Sequence, residues 1–137
     1  MTMKSYLALY ALTAVAFMVI DFTWIGVVAS NFYDKHLGPI LRPDVNWPAA
    51  IGFYAIYIAG ILVFAVLPAL ADGGSLARAI TLGAFLGFFA YATFDLTSMA
   101  LLKGFSWTVV VVDLIWGTVL TASVAASGFG IGRWLGY

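Results

Sequence analysis

Four long apolar stretches, separated by short polar segments, run along nearly the whole of this 137-residue chain. Crossing about 30 Å of hydrocarbon takes a helix of roughly 20 to 25 residues, and four such helices consume most of the sequence. The chain is 64% hydrophobic and 9% charged, where an ordinary soluble domain carries about 25% charged residues. No soluble fold could cover that much apolar surface. The expected fold is an all-α membrane protein, a four-transmembrane-helix bundle, with residues 1–137 as a single membrane domain and the lipid bilayer as its first partner.

The punctuation between the stretches sets the expected bounds, at about residues 6–30, 48–67, 76–102 and 107–128. The first run follows Lys4 and could be taken for a signal peptide. It is far longer than the 7 to 15 residues of a signal core and contains Asp21, so it is read as a retained helix. Pro39 and Pro43 interrupt the only substantial loop, Asn31 to Trp47, and Pro48 stands where the first turn of a helix tolerates proline. Tyr33 and Trp47 mark the interfacial ends of that loop. Pro68 and the Asp72-Gly73-Gly74 turn are expected to stop the second helix. Ser75 and Ser106 are candidate N-caps for the third and fourth. The Gly128-Phe129-Gly130-Ile131-Gly132 run is expected to end the fourth, leaving Arg133 and Trp134 as an interfacial anchor.

Six Lys and Arg balance six acids, so there is no basic footprint for nucleic acid. With no cysteine, disulfides, thiolate metal sites and cysteine nucleophiles are excluded. An even number of spans puts both termini on one side. Lys4, Arg78 and Arg133 fall there, against Lys35, Arg42 and Lys103 on the other. The tie leaves the terminal amine to favour a cytoplasmic N-terminus in an inner membrane.

The most informative residues are Asp21, Asp95 and Asp113, half of the acids, which stand inside apolar spans at a cost of a few kcal/mol each. Counted from the expected helix midpoints, all three fall about 4 to 9 Å from the midplane, in the leaflet of the long loop. Asp113, Gly117, Thr121 and Ala125 recur every four residues as a stripe of small and polar groups suited to close packing. Asp95 shares a face with Tyr91 and Ser98, Gly83 and Gly87 form a small-xxx-small pair, and Tyr54 and Tyr57 lie in the same leaflet. The sequence therefore supports a candidate polar or cation site of Asp21, Asp95, Asp113, Tyr54, Tyr57, Tyr91, Thr23, Thr97 and Ser98. Trp24 and Trp116 are candidate pocket aromatics that could cover a headgroup or pigment. With Arg78 placed at the interface, no cation lies within a span to pair with these acids. They are to be protonated, hydrated, cation-bound or reached by Lys35, His36, Arg42 or Lys103. The competing reading makes each aspartate a hydrogen-bonding link between helices, worth about 0.6 to 2 kcal/mol. His36 stands alone and is read as an exposed loop residue, so no metal site is expected. No nucleophile elbow, zinc-protease pair, P-loop or haem-attachment motif is present, and the sequence leaves open whether a cofactor, pigment or lipid is bound.

Ile20-Asp21-Phe22-Thr23 echoes Phe94-Asp95-Leu96-Thr97, each reading apolar, Asp, apolar, Thr, which fits a duplicated hairpin. These segments also carry a family resemblance. Asp21-Phe22-Thr23-Trp24-Ile25-Gly26, Phe32-Tyr33 with Leu37-Gly38, Phe53-Tyr54 with Tyr57 and Gly60-Ile61, Pro68-Ala69-Leu70, Ala90-Tyr91-Ala92-Thr93-Phe94-Asp95-Leu96-Thr97 and Asp113-Leu114-Ile115-Trp116-Gly117-Thr118 together resemble the bacterial membrane proteins of domain-of-unknown-function family 2177. Ser98, where the pattern continues with Asn, and Phe94, where Tyr is usual, depart from it. The resemblance implies a four-span membrane protein and assigns no catalytic or ligand residues.

Three functions stay open on these grounds. One is a small proton- or cation-linked transporter or channel using the aspartates, assembled as a homo-oligomer. Another is an accessory or structural subunit of a larger membrane complex. The third is a membrane enzyme acting on lipid or isoprenoid, with the aspartates as acid and base.

Overall fold

A computed structural model describes residues 1–137 as an all-helical chain with four helices long and apolar enough to cross a membrane. They are α1 (Met3–Val28), α3 (Trp47–Leu70), α4 (Leu76–Leu101) and α5 (Trp107–Trp134). A short helix α2 (Phe32–Leu37) lies in the first loop. Each span begins at a side-chain cap that satisfies an otherwise free backbone N–H. The caps are Thr2, Asn46, Ser75 and Ser106, accepting from the amides of Ser5, Ala49, Arg78 and Val109. The α3–α4 connection turns through Asp72, Gly73 and Gly74, all with positive φ, a conformation that glycine adopts without steric cost.

Two helix ends differ from the sequence expectation. Pro68 does not stop α3. Residues Leu62–Val66 widen into a π turn, with the Leu67 amide bonding the Leu62 carbonyl, and the helix continues to Leu70. Proline lacks an amide donor and crowds the carbonyl four residues back; a π turn accommodates that local strain without breaking the rod. Nor does the glycine-rich run end α5. In lipid the backbone must bond within its own helix, and Gly128 and Gly132 are contact points rather than breakers. A Cβ on Gly128 would stand 2.8 Å from a Val66 methyl, and one on Gly132 would stand 2.5 Å from a Leu70 methyl. The first loop also carries more structure than expected. Leu37 of α2 is buried against Phe105, Val109 and Val110, so α2 sits on the start of α5.

Of the four spans α5 is the most buried, and it packs against the other three, most extensively against α4. The core joins Leu9 and Phe17 of α1, Ile58, Ile61, Ala65 and Val66 of α3, and Leu120, Val124 and Ala125 of α5. Along α4 and α5 the backbones nearly touch. A Cβ on Gly83 would lie 2.7 Å from that of Ala125, and one on Gly87 would lie 2.1 Å from the Gly117 carbonyl oxygen. Small residues permit this approach, and packing rather than hydrophobicity holds helices together in lipid. The approach also sets the distance between the two aspartates that these helices carry.

Candidate functional site

Asp21, Asp95 and Asp113 are all buried, at 7%, 0% and 7% exposure. They lie roughly 8 to 11 Å from the midpoints of their spans, on the side of the long loop. For Asp21 and Asp113 this is farther from the midplane than the expected bounds imply, because α1 and α5 extend beyond those bounds at the terminal side; for Asp95 the distance hardly changes.

The three sit in different environments. Asp21 on α1 accepts from the Tyr54 hydroxyl of α3 at 3.2 Å, and Trp116 borders the same cavity. Asp113 on α5 accepts from the Tyr33 hydroxyl at 2.7 Å, and Tyr33 in turn accepts from the Trp24 indole at 3.2 Å. Asp95 on α4 has no such donor: neither carboxyl oxygen is bonded by a hydroxyl, amide or cation. Its neighbour across the α4–α5 contact is the Asp113 carboxyl. Two neighbouring buried carboxyl groups repel each other when both are ionised and can bond each other only through a proton.

Around this pair the site is aromatic. Trp24 and Trp116 stack with ring centroids 4.4 Å apart and planes within 10°. The Tyr57 hydroxyl and Thr121 bond at 2.7 Å. The Tyr91 ring packs against Gly117, where a Cβ would come within 2.2 Å of it. A cavity of about 440 Å³ opens beside Asp113, walled by Phe53, Tyr57, Ala90, Tyr91 and Phe94. A second, of about 300 Å³, reaches both Asp21 and Asp113 and is bordered by Trp24, Tyr33, Tyr54 and Trp116. Phe53, Tyr91 and Asp113 belong to both cavities.

Of the residues expected from sequence, the structure brings Asp21, Asp95, Asp113, Tyr54, Tyr57, Tyr91, Trp24 and Trp116 together, with Ser98 buried one turn beyond Asp95. Thr23 and Thr97 do not join them. Both are exposed on the lipid side, and their hydroxyls bond the carbonyls four residues back, of Val19 and Thr93. The repeated Asp-apolar-Thr segment thus behaves alike in α1 and α4, aspartate inward and threonine outward. The loop cations stay away: His36 bonds the Phe32 carbonyl, Arg42 bonds that of Asp44, and Lys35 and Lys103 are exposed. Tyr33, expected only to mark the interface, is the donor to Asp113, because α2 folds back over the bundle. Burial pushes its phenol above the usual range; the Trp24 bond opposes this and Asp113 adds to it.

A family model described as predicted membrane protein (DUF2177) matches residues 6–130. The chain belongs to this family. In this DUF2177 member the matched region includes all three buried aspartates, both cavities, the π turn of α3 and a second π turn that closes α1 at Trp24–Val28. No curated protein and no solved structure matches the chain.

Proposed function

We propose that this DUF2177 protein is a small proton- or cation-linked membrane transporter, with the Asp95–Asp113 pair as its exchange site. The observation that carries the reading is Asp95. If the aspartates served only to link helices, each would take a hydroxyl or indole from a neighbour, as Asp21 and Asp113 do. Asp95 is wholly buried, has neither oxygen bonded by such a donor and faces a second carboxyl instead. An intramembrane acid without a partner is costly unless function retains it.

A proton shared by the pair can leave through Asp113, which borders both cavities, and a cation arriving at Asp113 can replace it without changing the charge of the site. Tyr33 covers Asp113 from the loop side and Tyr91 from between the cavities. The protein lies in the bacterial inner membrane with cytoplasmic termini, and copies of it associate there, because four helices alone enclose little volume for a path.

Purified protein in liposomes holding a trapped pH-sensitive dye tests the exchange. An imposed cation or pH gradient is expected to drive dye-reported proton movement that Asp95→Asn abolishes and Thr97→Val leaves intact. Equal movement with the wild type and Asp95→Asn would rule the exchange site out.

A further inference from the structure

The larger cavity has a chemistry of its own. Four of its walls are the rings of Phe53, Tyr57, Tyr91 and Phe94, and its one ionisable carboxyl is that of Asp113. Phe53 and Phe94 are 47% and 60% exposed, which on a membrane span means exposed to lipid, so the mouth opens sideways into the loop-side leaflet. About 440 Å³ is within the range of small-molecule sites, about 300 to 1,000 Å³. Behind Asp113 stands Asp95, with both oxygens buried and unpartnered, and no Lys, Arg or His reaches the pair. The site therefore offers negative charge at its inner end and aromatic faces along its sides. Ring faces attract cations, more strongly when water is absent.

We propose that this cavity binds an amphipathic organic cation, an alkyl- or arylammonium, entering from the bilayer with its ammonium at Asp113 and its apolar body between Phe53 and Phe94. The occupant is not a metal ion, which would need several oxygen ligands that these walls lack. Nor is it a neutral lipid tail, which would leave the carboxyl pair uncompensated. The proposal rests on the reading of Asp95 and Asp113 as an exchange site and names what exchanges for the proton. As the ammonium binds, the shared proton leaves to water, and the net charge of the site is unchanged.

The test uses the full chain in lipid nanodiscs and calorimetric titration with benzyltrimethylammonium. Its uncharged isostere, neopentylbenzene, serves as control, and two buffers of different ionisation enthalpy count released protons. Saturable binding with about one proton released is expected, weakened at least tenfold by Asp113→Asn, by Ala90→Trp, which fills the cavity, and by Phe94→Ala, which removes one ring at the mouth. The neutral analogue is expected to show no saturable binding at the same concentrations. Equal binding of the neutral compound, or cation binding untouched by all three variants, overturns the proposal. Absent binding in a protein whose Asp95-dependent proton movement is intact overturns this occupant alone and leaves the exchange site standing.

Discussion

Gly87→Ala tests whether the approach of α4 to α5 builds the site. The added methyl carbon would lie 2.1 Å from the Gly117 carbonyl oxygen and 2.6 Å from the Thr121 hydroxyl. Ordinary contact begins near 3.4 Å, so α4 has to retreat from α5 by about 1 Å. Its first obstacle is backbone, which has no rotamer to change. Overpacking of this kind costs about 1 to 3 kcal/mol, against which alanine recovers up to about 1 kcal/mol of helix propensity. With the full offset the expected net loss is about 0 to 2 kcal/mol. Gly60→Ala is the control, because nothing lies within 4 Å of a Cβ there, and it should be neutral or stabilising by up to about 1 kcal/mol. Equilibrium unfolding of both variants in mixed micelles supplies the comparison. The same retreat pulls Asp95 from Asp113, so Gly87→Ala should also lose Asp95-dependent proton movement. Equal stability of the two variants would refute the close approach and the argument built on it.

Thr13 is wholly buried on α1 and its hydroxyl has no partner; Thr13→Val, which removes that cost, should stabilise the protein by about 1 kcal/mol in the same unfolding assay. Tyr33→Phe removes the 2.7 Å bond to Asp113 and should cost about 0.5 to 1.5 kcal/mol, measured by thermal unfolding. The Tyr33 phenol is held above its ordinary value of 10.0, so the unfolded chain gives up this proton first. The contribution is whole below about pH 10 and is lost as pH rises above it, so Tyr33→Phe should make the alkaline decline shallower. The stacked indoles of Trp24 and Trp116 should give an exciton couplet in circular dichroism that vanishes in either Trp→Phe variant. A couplet that survives one of them would show that the signal comes from another pair.

Sequence carried the spans and most of the site, for the same reason. An apolar run long enough for lipid is unmistakable, and a carboxyl within one stands out against it, so the helices and Asp21, Asp95 and Asp113 were legible together. Ser75 and Ser106 were legible as caps because a hydroxyl before an apolar run has a local use. Pro68 and Gly128 misled because their usual breaking effect was overridden by contacts between α3 and α5 and by the demand that backbone in lipid bond within its helix. Thr23 and Thr97 were assigned by proximity in sequence, yet two residues along a helix are about 200° around it, which puts each opposite its aspartate. Tyr33 was missed because only the fold-back of α2 brings it to Asp113. Phe53 and Phe94 were missed because, in a chain so rich in exposed rings, nothing local separates a cavity wall from a lipid contact.

The account turns on the contact between Asp95 and Asp113 through one proton. Infrared spectroscopy of the protein in lipid, with aspartate carboxyls isotopically labelled, measures this directly. At neutral pH the account predicts a protonated-carboxyl C=O band that disappears in Asp95→Asn and persists in Asp21→Asn. A band that survives Asp95→Asn, or no such band in the wild type, would contradict it.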